Sequence, residues 1–381
     1  MTFLKPGCES DKLNVVTHDE EEEDDVLLLL LLFAGVMYHN SLRNRSRLTR
    51  PAILEPAMSP WNRLYSFGDD SSFLEMTGFS RAAFISLREA VFLPRMARFG
   101  RPRSLDDNGE LGLYLLYLGS QMRTKHLCLI FGTVLTTTEV TITKVMDLVC
   151  RRLRRHPLSQ IVFPTQEKMA RFARMVERRE PLIKNVIGFV DGVSVPVQCS
   201  DDELLQRAAY CGYSHDTMCN NVFAFSPKGK IIYAAINFPG SWHDSTVALQ
   251  FIRLVISKIG TYALCVDQGF PRSGDLYDRF VGPLPIRVKK RLTPEAREYI
   301  IPLHEKYISL RQASEWGMRA LQGTFSRLKS RMTSNLKKRE KIILSVVLLH
   351  NLNQIAAVFN RHYEQYINLY TYDRIHRYFA N

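Results

Sequence analysis

The stretch VIGFVDGVSVPVQ, residues 186 to 198, decides how the rest of the chain is read. Its odd positions are Ile187, Phe189, Asp191, Val193, Val195 and Val197, so in a strand of period two a single carboxylate shares a face with five apolar side chains. An unpaired carboxylate on such a face is costly. Proteins normally remove it, raise its pKa or give it a cation. Asp191 therefore calls for a cation and for other groups to share it.

Working outward, the chain alternates strands and helices. NNVFAF (220 to 225), the turn SPKGK and IIYAAINF (231 to 238) form a hairpin, with Pro227 and Gly229 supplying the turn. A helix follows from about Ser245 to Ile259, then the strand TYALCVD (261 to 267), a strand near LPIRV (284 to 288) and a long helix from about Pro294 to Ser330. This order predicts a mixed α/β sheet. Asp267 ends its strand on the face of Ala263 and Cys265, and ligands bind beyond strand ends in such sheets, so Asp191 and Asp267 can share one site. A third acid is expected from the long helix. Glu315 is the candidate, near the side of Met318, Leu321, Phe325 and Leu328, although Arg311 and Arg319 at i−4 and i+4 equally allow a salt bridge. Glu295, Glu298 and Glu305 remain open alternatives.

Upstream, GFSRAAFISLREAVF (78 to 92) is a packing helix with Ser80 as its cap. From Leu105 three helices follow. The third starts at Thr136 and Glu139 in capping-box register, with Ile142, Val145, Met146 and Val149 facing inward. A short helix ending at Gly132, a brief turn and a longer helix with Thr137, Thr138, Thr141 and Lys144 on its outer face form a helix-turn-helix pattern, which an ordinary bundle would also satisfy. The run VLLLLLLFAGVMY (26 to 38) is shorter than the roughly 20 residues a bilayer requires and reads as a packed helix.

The net charge is +13 although Asp19 to Asp25 contributes −7, so the remainder carries +20. RNRSR (43 to 47), RRLRR (151 to 155), KKR (289 to 291 and 337 to 339) and the basic stretch 327 to 341 concentrate it. A polyanionic partner follows, with phosphate contacts from Arg151, Arg152, Lys289, Lys290, Arg319 and Lys329; an anionic membrane is the rival explanation. Seven cysteines without a CxxC pair or secretory leader point to reduced thiols in the cytosol or nucleus. Cys211, His215 and Cys219 have metal-like spacing but no second pair at a zinc-site distance.

The ordered motifs VDGVSVPV, NFPGSWHDS, CVDQGFP and SLRQASEWGMRALQGTFSRLKSR resemble the catalytic domain of PIF/Harbinger-type DDE transposases and the nuclease-like host proteins derived from them. The upstream segment LGLYLLYLGSQ through TITKVMDLV resembles that family's helix-turn-helix region. The resemblance implies an α/β fold with a ribonuclease-H-like DDE catalytic domain and an N-terminal all-α helix-turn-helix region. With the composition and breakers of the chain it gives a leader at 1–60, partly disordered; a helical region at 61–180 with the helix-turn-helix at about 105–155; the nuclease domain at 181–350; and a Tyr-rich helical tail at 351–381.

Asp191, Asp267 and Glu315 would form the triad and hold Mg²⁺ or Mn²⁺, two ions about 4 Å apart, for phosphodiester cleavage. Asp244 in SWHDS is either a fourth ligand or, with Ser245, a helix cap. Implied partners are double-stranded DNA carrying terminal repeats, a target site, a Myb/SANT-like accessory protein and a second copy of the chain, with no membrane; the implied location is the nucleus. Two departures from the family pattern stand out: Phe325-Ser326 replaces Phe-Gly, and Ser214 and Asp216 flank His215 where basic residues are usual. They leave room for a copy that binds DNA or scaffolds without turnover.

Overall fold

The computed structural model describes residues 25–39, 48–92 and 103–359, the last six as backbone only. RNRSR, the acidic run up to residue 24 and the tyrosine-rich tail beyond 359 lie outside the described residues. The chain divides into two compact units, Met1–Leu54 and Glu55–Asn381.

In the first unit, helix α1 (Asp25–His39) carries the leucine run, and its residues are exposed throughout. The expectation of a packed helix is overturned: it is apolar all round, and its side chains are exposed. Among the described residues no single helix is long and apolar enough to cross a membrane.

The second unit begins with helices that each start at a side-chain cap. Ser59, Asp69 and Ser80 accept backbone N–H groups at the starts of α2 (Pro60–Phe67), α3 (Asp70–Thr77) and α4 (Arg81–Val91), and Asp106 does so for α5 (Asp107–Gly119). Trp61 packs among Phe73, Phe84 and Phe131 and seats these helices on one core. Helix α6 (Thr124–Phe131) ends at Gly132, whose φ of 66° closes the turn, and α7 (Leu135–Leu153) departs at 97° to it. The Thr136–Glu139 capping box does not form, because the helix starts earlier, with Val134 as N-cap and no side-chain cap. Helix α8 (Gln166–Arg179) leads into the sheet.

The sheet contains β1 (Val186–Pro196), β2 (Tyr210–Cys211, after the short α9, Glu203–Ala209), β3 (Asp216–Phe225) and β4 (Ile231–Pro239), then β5 (Ala263–Val266) and β6 (Phe280–Val281). β1 pairs antiparallel with β3, and β3 antiparallel with β4 and β2; on its other side β1 pairs parallel with β5, and β5 parallel with β6. The β3–β4 turn is as expected: Gly229 adopts φ 78° and its N–H donates to Ser226. Between β4 and β5 the expected single helix is broken at Ala248 into α10 (Asp244–Val247) and α11 (Leu249–Lys258). No strand forms at 284–288. Pro283 and Pro285 cannot donate to a ladder, and residues from Ile286 wind into the short helix α12 (Ile286–Lys290).

Helix α13 (Pro294–Thr324) is the expected long helix, and α14 (Leu336–Phe359) follows a 3₁₀ turn, Ser326–Lys329. Met169, Ile187, Val190, Val222, Val247, Phe251 and Val255 pack α8, α10 and α11 onto one face of the sheet. On the other face Phe189, Ala263 and Cys265 meet Leu310 and Ala313 of α13, while Val195, Phe223 and Phe225 join Tyr114, Val145, Leu321 and Val346 in the large helical core. Segments before and after residue 181 thus contribute to one core. Ile187 does not share the side of Phe189 as strict alternation required. Three steps along β1, from Val186 to Phe189, match two along β5, from Ala263 to Cys265, and this bulge flips the parity.

Candidate active site

The register of the parallel pair brings the first two acids together. Phe189 lies beside Cys265 and Val190 beside Val266, so one step further along both chains places Asp191 next to Asp267. Asp267 stands just past the end of β5 and opens a turn in which Phe270 N–H donates to its carbonyl at 3.2 Å. Helix α13 crosses the same face. Below the site it is pinned by Leu310 and Ala313 against Phe189 and Cys265, and Arg311 and Glu315, one turn apart, stand at the edge of that contact. Gly317 allows the close approach, since a β-carbon there would lie 2.8 Å from the Phe225 ring.

The third acid closes the cluster through a shared cation. Arg311 Nη1 lies 3.0 Å from Asp267 Oδ1, and Nη2 donates to Glu315 Oε1 at 2.7 Å. Burial pushes the Asp191 carboxyl up to about 6; the Arg311 guanidinium and the Gly192 N–H (3.0 Å) pull it down, and the Asp267 and Glu315 carboxylates push it up again. The three acids therefore sense one another, with Arg311 among them.

Asp244 approaches from the other side of the pleat. A β-carbon on Gly192 would lie 2.5 Å from Asp244 Oδ2, so the glycine of VDG makes room for this carboxylate rather than a turn. Burial raises the Asp244 pKa, the neighbouring His243 lowers it, and Asp267 raises it. Neither Asp244 nor Ser245 caps the following helix: His243 Nδ1 accepts the Ser245 N–H at 3.3 Å.

The donor set suits a hard divalent cation, being all carboxylate oxygen, and the guanidinium stands in for a cation between two of its members. In this arrangement no group of three or more His, Cys, Asp or Glu side chains among the described residues is spaced to hold a metal ion. That holds also for Cys211, His215 and Cys219, the last of which is buried in the core.

The expected DNA-contacting residues divide. Arg151, Arg152, Lys289, Lys290, Arg319 and Lys329 are exposed, and Thr137 is half-buried. Thr138 and Thr141 are buried, which corrects their expected place on the outer face. The Thr138 hydroxyl bonds Thr133 at 2.8 Å and the Val134 carbonyl at 3.1 Å, so a threonine there can be an inner residue. Lys144 is also structural: its Nζ donates to both oxygens of the buried Glu110, at 2.5 and 2.6 Å. The outward positions of α7 are Thr136, Glu139, Val140 and Thr143. Within the basic stretch 327–341, four cations have partners in the protein itself. Arg327 donates to the carbonyls of Tyr117 and Met122, Arg331 pairs with Asp216, Arg339 is buried against Asn237, and Lys341 pairs with Asp147.

Both departures from the family pattern have local explanations. Ser326 Oγ donates to the Gly119 carbonyl at 2.6 Å, tying the end of α13 to α5, and Asp216 takes both terminal nitrogens of Arg331. Residues 190–351 match the family model described as DDE superfamily endonuclease, a span that includes Asp191, Asp244, Asp267 and Glu315. No curated protein and no solved structure matches the chain.

Proposed function

We propose that this chain is a metal-dependent DNA endonuclease and transposase of the PIF/Harbinger type. The observation that carries the reading is the convergence of Asp191, Asp267 and Glu315, from three separate parts of the chain, around one cation at the end of the parallel strand pair. The sheet order supports a ribonuclease-H-like core: three antiparallel strands, of which β1 continues into two parallel ones. The match to the endonuclease model over the same segment agrees with it.

In this reading Asp191, Asp267 and Glu315 hold Mg²⁺ or Mn²⁺, with Asp244 behind Asp267. The bound ions would supply Lewis-acid activation of an attacking oxygen and stabilisation of the leaving one. Asp191 and Asp267 are set by a strand register and Glu315 by a packed helix, so the carboxylates are held on rigid elements. Water as nucleophile gives nicking, and a DNA 3′-hydroxyl gives strand transfer. The 97° angle between α6 and α7 is compatible with a helix-turn-helix, whose outward face would carry Thr136, Glu139, Val140 and Thr143. Arg151, Arg152, Lys289, Lys290, Arg319 and Lys329 supply phosphate contacts to terminal-repeat DNA. Action in the nucleus, with a Myb/SANT-like accessory protein and a second copy of the chain, completes the reading.

The guanidinium bridge favours a second reading, a domesticated DNA-binding or scaffold protein whose acids are neutralised internally. The deciding experiment is cleavage of labelled DNA carrying candidate terminal repeats, with Mg²⁺ or Mn²⁺ and with and without a Myb-like partner. Wild type should cut, and Asp191→Asn and Asp267→Asn should not. Binding without cutting under every condition transfers the assignment to the second reading.

A further inference from the structure

Arg311 is the one cation in salt-bridge contact with the acids of the cluster among the described residues, and its position follows from helix spacing together with the packing of α13 on the sheet. It sits one turn before Glu315 on α13, close enough to the β5 end for its two terminal nitrogens to be divided between two elements. One nitrogen serves Asp267 and the other Glu315. This use of the guanidinium fork differs from a bidentate clamp on one carboxylate, and a compact ammonium would not reproduce it. The bridge is half open: the side chains of Arg311, Asp267 and Glu315 are 32%, 42% and 37% exposed. A fully buried bridge would be locked by the cost of an unpaired charge, whereas pairs at this exposure are weak enough to exchange for another cation.

We propose that Arg311 is the internal counter-cation of the acidic cluster, bridging Asp267 and Glu315 until a divalent ion enters and yielding its place to that ion. The inference rests on the metal-binding reading above. Arg311 thereby sets the metal affinity of the site: the ion must compete for carboxylate oxygens already in use, and the measured affinity falls by the strength of the bridge it displaces. It also holds Asp267 and Glu315 at the mouth of the site without metal, where two unneutralised carboxylates would repel.

The test is Mn²⁺ binding to the purified full chain, read from the loss of the free-ion electron paramagnetic resonance signal, for wild type, Arg311→Gln, Arg311→Lys and Asp191→Asn. Removing the bridge should tighten Mn²⁺ binding about tenfold in Arg311→Gln, the worth of two half-exposed pairs, with a smaller tightening in Arg311→Lys. Thermal unfolding supplies the second readout. Metal-free Arg311→Gln should melt below wild type, and Mn²⁺ should raise its midpoint by more than it raises that of wild type. If wild type binds, Asp191→Asn does not, and Arg311→Gln binds equally or more weakly, the counter-cation role is overturned while the metal site stands. Arg311→Lys behaving as wild type while Arg311→Gln binds tighter overturns the divided bridge, because charge alone would then set the affinity. If neither wild type nor Arg311→Gln takes up Mn²⁺ in a manner that Asp191→Asn abolishes, the metal reading itself falls and the proposal with it.

Discussion

Asp191 is a residue whose cost to the fold can be measured. Its carboxyl is raised to about 6 chiefly by burial, above the roughly 3.9 of an unfolded chain. The folded, metal-free protein therefore holds the proton more tightly than the unfolded chain, so stability falls as pH rises between these two values and is level above them. Asparagine carries no charge at any pH. In EDTA, Asp191→Asn should be more stable than wild type at pH 7 to 8 by about 3 kcal/mol, with the gap closing below about pH 4. Urea titrations across this range give the answer, and parallel pH curves for the two proteins would refute the assignment. The isolated carboxylate was legible in the sequence because a period of two exposes it. Its neighbours were only partly legible. Gly192 could not be given its role, because nothing in VDG shows Asp244, fifty-two positions on, lying against it.

At the scale of elements, α7 shows where helical periodicity gives out. Ile142, Val145, Met146 and Val149 were correctly read as inner positions, but the buried arc extends to Thr138 and Thr141, whose hydroxyls are compatible with either side of a helix. Lys144 looks like a surface cation until Glu110, thirty-four residues earlier on α5, is placed beneath it. Lys144→Ala should lower stability by about 2 kcal/mol, the worth of hydrogen bonds to a buried charge. It should leave the salt dependence of DNA binding unchanged. Arg151→Ala with Arg152→Ala should do the reverse, altering stability by less than about 0.5 kcal/mol and weakening DNA binding. Denaturation midpoints and DNA titrations on the same preparations separate the two effects, and equal behaviour of the two variants would defeat this division.

For the whole molecule the positive excess is the dominant property, and the fold decides how much of it is available. Arg327 and Arg339 are engaged by the protein's own carbonyl and amide groups, and Arg331 and Lys341 by surface carboxylates, whereas Lys289 and Lys290 stand exposed on α12 with no ion pair among the described residues. If the latter two touch phosphate, replacing both by alanine should reduce the slope of log K against log salt by about 2, without a change in sequence preference. Replacing Arg331 should leave the slope intact and cost stability instead. An unchanged slope in the Lys289→Ala, Lys290→Ala protein would remove α12 from the DNA surface.

What the sequence determined by itself is what short range and periodicity encode: the strand carrying Asp191, the hairpin at Gly229, the strand that ends before Asp267, the long helix from Pro294 and the capped start of α4. What only the tertiary structure decided depends on contacts between distant positions. The bulge that turns Ile187 away from Phe189 comes from pairing with β5. The proline-rich segment winds into α12 while the sheet edge is taken by Phe280–Val281. The partner of each cation, Glu110 for Lys144, Asp216 for Arg331 and the acidic cluster for Arg311, is set by which elements pack together. Backbone propensity and hydrophobic period act over a few residues and can be read along the chain. A charge's partner is fixed by distance in space, which the linear order does not carry.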